Sequence, residues 1–270
     1  MLYNRPMSSR NRLSALLAVV TVGLVSFSAL PLPVKHLSVH GRELVISGRT
    51  ILGYVIASLV CSGSQTLMLR VPHTGQETDA WRRFHCVLPT LAATVALLLL
   101  AGPWGATVQF VICVLTVVMM AVVIIGEHYT ADLAPKLRQP VRGGLELCAF
   151  GLLTVLFGAL RLFRAETGPV GAIVALSGMS VASWLLSEDA ANPGQLLVSA
   201  VMAGVALGVA ASLLAAIASA RAYALLLTIL LYILTGVQRR FLRGQLQRAS
   251  LVEYLLVGLL AVTIVLIFVH

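Results

Sequence analysis

Long runs without any charged side chain are the feature that most constrains this chain. Between Ala106 and Gly126 the sequence contains no Asp, Glu, Lys or Arg, and comparable runs recur along its 270 residues. An α-helix needs roughly 20 apolar residues to cross the hydrocarbon core of a bilayer. Hydrophobic residues make up 59% of the chain and charged residues 11%, whereas soluble domains contain roughly 45–50% and about 25%. The sequence therefore predicts an all-α, polytopic integral membrane protein.

Apolar runs separated by polar loops predict about nine spans in a single membrane-embedded domain, residues 1–270. One boundary lies inside the apolar block 195–237, which as one helix would be about 65 Å long, twice the hydrocarbon thickness. We expect two helices that meet near Arg221. The predicted spans are 13–34, 50–69, 84–101, 106–126, 143–160, 168–186, 195–218, 222–237 and 251–269.

The first apolar run follows three arginines, a pattern that signal peptides and uncleaved first spans share. We expect an uncleaved span, because the run is long for a signal peptide and closes at Pro31 and Pro33. Cleavage would leave the later helices in the same orientation. The following segment, residues 35–50, predicts a short extracytoplasmic hairpin around His40 and Gly41.

The positions of the basic residues predict the orientation of the chain. With the N-terminus inside, thirteen of the 19 Lys and Arg residues fall in inner segments. The positive-inside rule therefore favours a cytoplasmic N-terminus, an outside C-terminus and the cell (inner or plasma) membrane. Residues 187–194 form an acidic inner turn. The net charge of +9 belongs to these loops, and no basic stripe with interleaved aromatics predicts nucleic-acid binding. The expected surroundings are the lipid bilayer and protein partners in a membrane complex.

Short catalytic and nucleotide-binding motifs are missing from the sequence. It contains no G-x-x-x-x-G-K-[ST], no G-x-S-x-G and no H-E-x-x-H. The four cysteines lie in or beside apolar spans without a C-x-x-C pair, which is typical of small buried hydrophobes. We therefore predict no catalytic residue, no metal site and no cofactor.

One helix-packing motif stands out, Gly204-Val-Ala-Leu-Gly208. Small residues spaced by four let two helix backbones approach closely. With eight other helices in the chain, we expect the motif to pack within the chain itself. An oligomer interface is the alternative interpretation.

Ionisable residues inside a membrane are costly and are functional candidates by default. Helix-end chemistry accounts for several of those at the expected inner face. Glu253 fits a capping box with Ser250, and Glu146 lies in a first turn with Arg142 four residues earlier. His85 lies at the start of a span. The expected inner-face group is His85, Glu127, His128, Glu146 and Glu253.

Glu127 is the exception, because its span is expected to end at Gly126. The carbonyls at a helix C-terminus carry partial negative charge, so an acid there is unfavourable by up to about 1 kcal/mol without compensation. The candidate basic partners are Arg82, Arg83, Lys136, Arg142, Arg239 and Arg240. The predicted inner-edge polar site consists of Glu127, His128, His85, Glu146 and Arg142.

Three classes of function fit these observations. The first is a non-catalytic subunit, scaffold or accessory component, which agrees with the missing motifs. The second is a transporter of a small solute or lipid with an inner-side polar site around Glu127, for which discontinuous helices and a midplane cavity are expected. The third is an intramembrane enzyme that uses the inner-edge His and Glu residues. Hints of a transporter are Pro89, Gly178, Ser180, Ser183 and the stretch 62–65.

Overall fold

A computed structural model describes residues 9–30, 33–39, 42–68, 84–132, 135–163, 167–190, 192–245 and 247–268. This part of the chain contains nine α-helices and one two-stranded antiparallel hairpin. The helices are α1 (Ser9–Ala29), α2 (Gly48–Met68), α3 (Val87–Leu100), α4 (Ala106–Asp132), α5 (Pro135–Phe163), α6 (Thr167–Leu186), α7 (Pro193–Leu214), α8 (Ala220–Leu242) and α9 (Arg248–Phe268). The predicted helical membrane class with about nine helices is confirmed.

Six of the helices contain segments long and apolar enough to cross a membrane. The qualifying segments are Asn11–Ala29, Gly48–Leu67, Ala106–Thr130, Arg138–Phe163, Pro193–Leu214 and Ala220–Leu242. The other three helices contain shorter apolar segments, which are Val87–Leu100, Val170–Leu186 and Leu251–Thr263. Many large hydrophobic side chains on these helices are exposed, as expected for surfaces that face lipid.

The chain divides into two compact units. The first comprises residues 1–75 and 88–141. In it, α1 packs against α2 and α4, with Leu24 and Val60 fully buried. The hairpin joins α1 to α2, and β1 (Val34–Val39) pairs with β2 (Arg42–Ser47). The hairpin predicted in residues 35–50 is therefore confirmed.

The second unit comprises residues 76–87 and 142–270. Its most closely packed helix pair is α6 with α7, and α8 contacts α6, α7 and α9. Large side chains fill its core, among them Phe157, Trp184, Leu207 and Tyr223, each at most 1% exposed. This unit contains most of the charged side chains considered below.

The apolar block 195–237 divides into two helices, as predicted. Helix α7 ends at Leu214, and α8 begins at Ala220. Ser219 is the N-cap of α8, since its hydroxyl accepts a hydrogen bond from the Ala222 amide at 3.4 Å. The Arg161 guanidinium donates to the Ala215 carbonyl at 2.8 Å, where α7 ends. Capping by serine and arginine thus replaces the Gly or Pro that often marks such a turn.

Several helices are longer than the apolar spans from which they were predicted. Helix α4 continues to Asp132 instead of ending near Gly126, and α8 continues to Leu242. Hydropathy marks where a helix meets water, but the helix itself continues until a breaker or cap stops it. No Gly or Pro occurs between Glu127 and Asp132, so nothing local ends α4 at the apolar boundary.

Two predicted helix starts are also corrected. Helix α5 begins at Pro135 and contains Pro140, whereas the span was predicted from residue 143. Proline is tolerated at the first helical position, because the N–H that it lacks would have no hydrogen-bond acceptor within the helix there. Helix α9 begins at Arg248, so Ser250 lies inside the helix. The predicted capping box of Ser250 with Glu253 is therefore wrong.

Candidate functional site

A cluster of charged side chains lies at one end of the second unit. The part of α5 that belongs to this unit begins there, whereas α6 and α8 end there, so side chains from three helices converge. The group, called the arginine–carboxylate cluster below, consists of Arg142, Glu146, Glu188, Asp189, Arg239 and Arg243.

The carboxylates of Glu188 and Asp189 are positioned by the turn that follows α6. The Asp189 amide donates to the Leu186 carbonyl at 3.0 Å, and the Ser187 hydroxyl donates to the Trp184 carbonyl at 2.7 Å. The turn is therefore held against the C-terminal end of α6. Acidic side chains at this negative pole are unfavourable unless cations compensate them.

Arg142 supplies part of this compensation. Its side chain is 9% exposed, and its nitrogens lie 3.7 Å from a Glu146 oxygen and 3.7 Å from a Glu188 oxygen. The guanidinium also donates to the Trp184 carbonyl at 3.0 Å. Its central carbon lies 4.0 Å from the centre of the Trp184 ring, which is within cation–π range. Arg142 thus fixes the end of α6 to α5, about two turns after the start of that helix.

Arg239 bridges two carboxylates that come from different helices. It donates to Glu146 Oε1 at 2.8 Å, and its Nε lies 2.9 Å from Asp189 Oδ2. The Arg239 guanidinium also donates a hydrogen bond to the Leu185 carbonyl, at the end of α6, at 3.2 Å. Because one planar guanidinium presents several donors in a fixed geometry, Arg239 connects α5, α6 and α8 at a single point.

Asp189 is the most deeply buried carboxylate of the cluster, with its side chain 6% exposed. Besides Arg239, it accepts a hydrogen bond from Arg243 Nε at 2.7 Å. Arg243 itself is 53% exposed, so its contribution is screened by water. The Arg240–Glu253 ion pair, 3.3 Å long and exposed, lies outside the cluster.

Among the described residues of the cluster, positive and negative groups are equal in number. Three guanidiniums face three carboxylates, and two of the guanidiniums also hydrogen bond to the last carbonyls of α6. The contacts described for this network are between its own side chains and helix ends. Within the described ranges, no group of three or more His, Cys, Asp or Glu residues is placed to hold a metal ion.

The predicted inner-edge residues fall in both units. Arg142 and Glu146 are brought together in the cluster, while Glu127 and His128 belong to the first unit. His85 is buried in the turn at residues 84–86 of the second unit. Arg142, Arg239 and Arg240, three of the partners expected for Glu127, form ion pairs with carboxylates of the second unit. Arg82 and Arg83 lie outside the described residues.

Glu127 is not at a helix end, and this corrects the reason given for singling it out. It lies five residues before the end of α4 and therefore precedes the last turn. The helix dipole acts most strongly in that last turn. Its side chain is buried, with 1% exposure, on the same helix face as Met120, Val123 and Thr130. The Thr130 hydroxyl donates to the Glu127 carbonyl at 2.8 Å. Glu127 is therefore a buried acid on the packed face of α4.

Glu188 and Asp189 were not predicted as site residues. Both fall in the predicted acidic inner turn, on the same side as the arginines predicted in the neighbouring inner segments. That coincidence, acids in one inner loop and arginines in the neighbouring loops, was the available signal.

Gly204 and Gly208 both face α6. A Cβ on Gly204 would lie 2.6 Å from the Ala175 carbonyl oxygen, and one on Gly208 would lie 3.1 Å from the Gly171 carbonyl oxygen. Both contacts are with backbone, so α6 and α7 approach too closely for a side chain at either position. The motif is used for packing between two helices of the second unit.

Comparison with known proteins adds a family but no activity. There is no significant match among curated proteins or solved structures. The sequence model of one family, described as "Protein of unknown function (DUF5656)", matches residues 4–268, nearly the whole chain. The chain therefore belongs to the DUF5656 family.

Proposed function

We propose that this protein is a non-catalytic component of a membrane complex, acting as a subunit, scaffold or accessory protein in the cell membrane. The observation that carries the proposal is the arginine–carboxylate cluster, in which each described charged side chain pairs with one of opposite sign. It uses six ionisable side chains to fix the ends of three helices, which is a structural use of charge. A component that presents fixed helix faces to partners depends on such rigidity.

The polar side chains of α6 support the same proposal. Ser177, Ser180 and Ser183 each donate to the carbonyl four residues earlier, at 2.8 Å. Hydroxyls that hydrogen bond to their own helix are satisfied locally. Ser180 and Ser183, two of the residues that hinted at a transporter in the sequence, therefore need no substrate as a partner.

The distribution of arginines supports a multi-pass orientation with the cluster in the cytoplasm. Among the side chains that the structure describes, four arginines of the second unit lie at the end that contains the cluster: Arg142, Arg239, Arg240 and Arg243. Arg161 and Arg221 lie near the turn between α7 and α8, at the opposite end. The positive-inside rule places the more basic end in the cytoplasm.

The proposal is tested by measuring whether the protein, expressed at its native level, is part of a larger complex. The tagged protein is extracted from its own membranes in a mild detergent and its particle mass is measured by native electrophoresis and mass spectrometry. The same protein, overproduced and purified alone, provides the reference mass. We expect the native particle to be larger and to contain a partner in fixed stoichiometry. Equal masses in the two preparations contradict the proposal.

The burial of Glu127 favours a second candidate, a transporter of a small solute or lipid. An ionisable group buried in a span is costly and marks proton or substrate pathways in many transporters. Glu127→Gln keeps the shape of the side chain and removes its charge. If Glu127 carries protons, the variant loses the pH dependence of transport or growth between about pH 5 and 8. A variant that behaves like the wild type throughout that range excludes a proton-carrying role.

A further inference from the structure

A groove of about 740 Å³ opens on the surface of the second unit between α5 and α8. Its walls are mostly small or apolar, and an arginine lies at one end. The wall residues used below are Thr154, Gly158, Leu162, Arg221, Ala224 and Leu225.

The position of the groove along α5 places it in one half of the bilayer. At about 1.5 Å per residue, Thr154 lies about 18 Å and Leu162 about 30 Å along the helix from Arg142. The hydrocarbon core is itself about 30 Å thick. With the cluster at one membrane surface, the groove extends from near the midplane to the opposite surface. Its length matches a single leaflet.

Among the described lining residues, the polar side chain at the deep end of the groove is Thr154, and it already has hydrogen-bond partners. The hydroxyls of Thr154 and Thr228 lie 2.9 Å apart and hydrogen bond to each other across the two helices. Further along, α5 and α8 lie close together, since a Cβ added at Gly158 would be in ordinary contact with the Ala224 Cβ at 3.6 Å. An apolar groove at this depth suits a hydrocarbon chain.

The mouth of the groove carries a positive charge. Arg221 is exposed, and within the described ranges no hydrogen bond or ion pair engages its guanidinium. The neighbouring Arg161 differs, because it donates to the Ala215 carbonyl. A guanidinium at the membrane surface, beside a groove that suits a hydrocarbon chain, is complementary to a lipid phosphate.

We propose that this groove binds an anionic phospholipid, with one acyl chain between α5 and α8 and the phosphate paired with Arg221. The proposal is independent of the function suggested above, since it concerns the opposite end of the unit. One cation near the surface strengthens binding of an anionic lipid by about fivefold.

The test is native mass spectrometry of the full chain titrated with dioleoyl phosphatidylglycerol or dioleoyl phosphatidylcholine. We expect Arg221→Gln to weaken binding of phosphatidylglycerol about fivefold and to leave phosphatidylcholine unchanged, with Arg221→Lys retaining most of the preference. Gly158→Leu, which fills the groove, is expected to weaken the binding of both lipids.

Two matched variants control for general effects. Arg49→Gln removes an exposed arginine elsewhere, and Gly151→Leu adds the same side chain to α5 at a position with open space. Both are expected to bind lipid like the wild type. The proposal is overturned if Arg221→Gln has no larger effect than Arg49→Gln. It is also overturned if Gly158→Leu changes the fraction of dimer without changing the lipid bound, because the occupant is then a second copy. Should Gly158→Leu fail to fold, the exposed Arg221 variants decide the matter.

Discussion

The carboxylate of Asp189 links the turn that follows α6 to the C-terminal end of α8. It is nearly buried and lies against Arg239 and Arg243 at the negative end of α6. Asp189→Asn removes the charge but keeps the size, so Arg243 loses its partner and Arg239 retains Glu146. We expect a loss of about 2 kcal/mol in the free energy of unfolding, measured by denaturant titration in mixed micelles.

Glu253 provides the matched control for that variant. Its side chain is 63% exposed, and its pair with Arg240 is 3.3 Å long. Exposed pairs contribute less than about 1 kcal/mol, so Glu253→Gln is expected to unfold almost like the wild type. Similar losses in the two variants would mean that burial does not set the importance of these pairs.

Close contact between α6 and α7 depends on glycine. In Gly204→Ala, the new methyl group meets the Ala175 carbonyl oxygen at 2.6 Å, and backbone atoms cannot move aside as a flexible side chain can. We expect the helix pair to separate slightly, with a loss of about 1–3 kcal/mol in the free energy of unfolding. The measurement is the same micellar titration.

Gly194→Ala is the control on the same helix, because a Cβ at Gly194 meets nothing within 4 Å. Replacing glycine in an unobstructed helical position stabilises by a few tenths to about 1 kcal/mol. The two variants therefore shift stability in opposite directions. If Gly204→Ala instead leaves stability unchanged and dissociates an oligomer, the glycines pack between chains.

The elements that could be predicted from the sequence are those set by local chemistry. Uncharged runs of sufficient length predicted the helices, and the turn residues His40 and Gly41 predicted the hairpin. The length limit for a spanning helix predicted the division near Arg221. Helix ends were predicted less well. The apolar run stops at Gly126, but the end of an apolar run does not by itself end a helix, and α4 continues to Asp132.

The arginine–carboxylate cluster could be predicted only in part. The pair formed by Arg142 and Glu146 is local, since four residues bring both side chains to one helix face. Arg243 and Asp189 are 54 residues apart in sequence, and only the packing of α6 with α8 brings them together. A pattern with the period of one helix contains no information about that packing. The sequence thus predicted that these charges lie on one side of the membrane, but it did not identify their partners.

At the scale of the whole molecule, the ends of the second unit differ in charge, and this difference predicts its orientation. Helix α8 has 23 residues and is therefore about 34 Å long, enough to cross a hydrocarbon core of about 30 Å. Its ends should lie on opposite sides of the membrane. The basic end, with Arg239, Arg240 and Arg243, is expected in the cytoplasm.

Two cysteine reporters at the ends of α8 test both the crossing and its direction. In a variant whose four native cysteines are replaced by serine, Ala216→Cys lies in the turn before α8 and Gln245→Cys lies just after it, both at exposed positions. A membrane-impermeant maleimide applied to intact cells is expected to label Ala216→Cys alone, and permeabilised cells are expected to label both. Labelling of Gln245→Cys alone in intact cells would mean that α8 has the opposite orientation to the one predicted. Equal labelling of both reporters in intact cells means that α8 does not cross the membrane, because an impermeant reagent reaches only one side of a spanning helix.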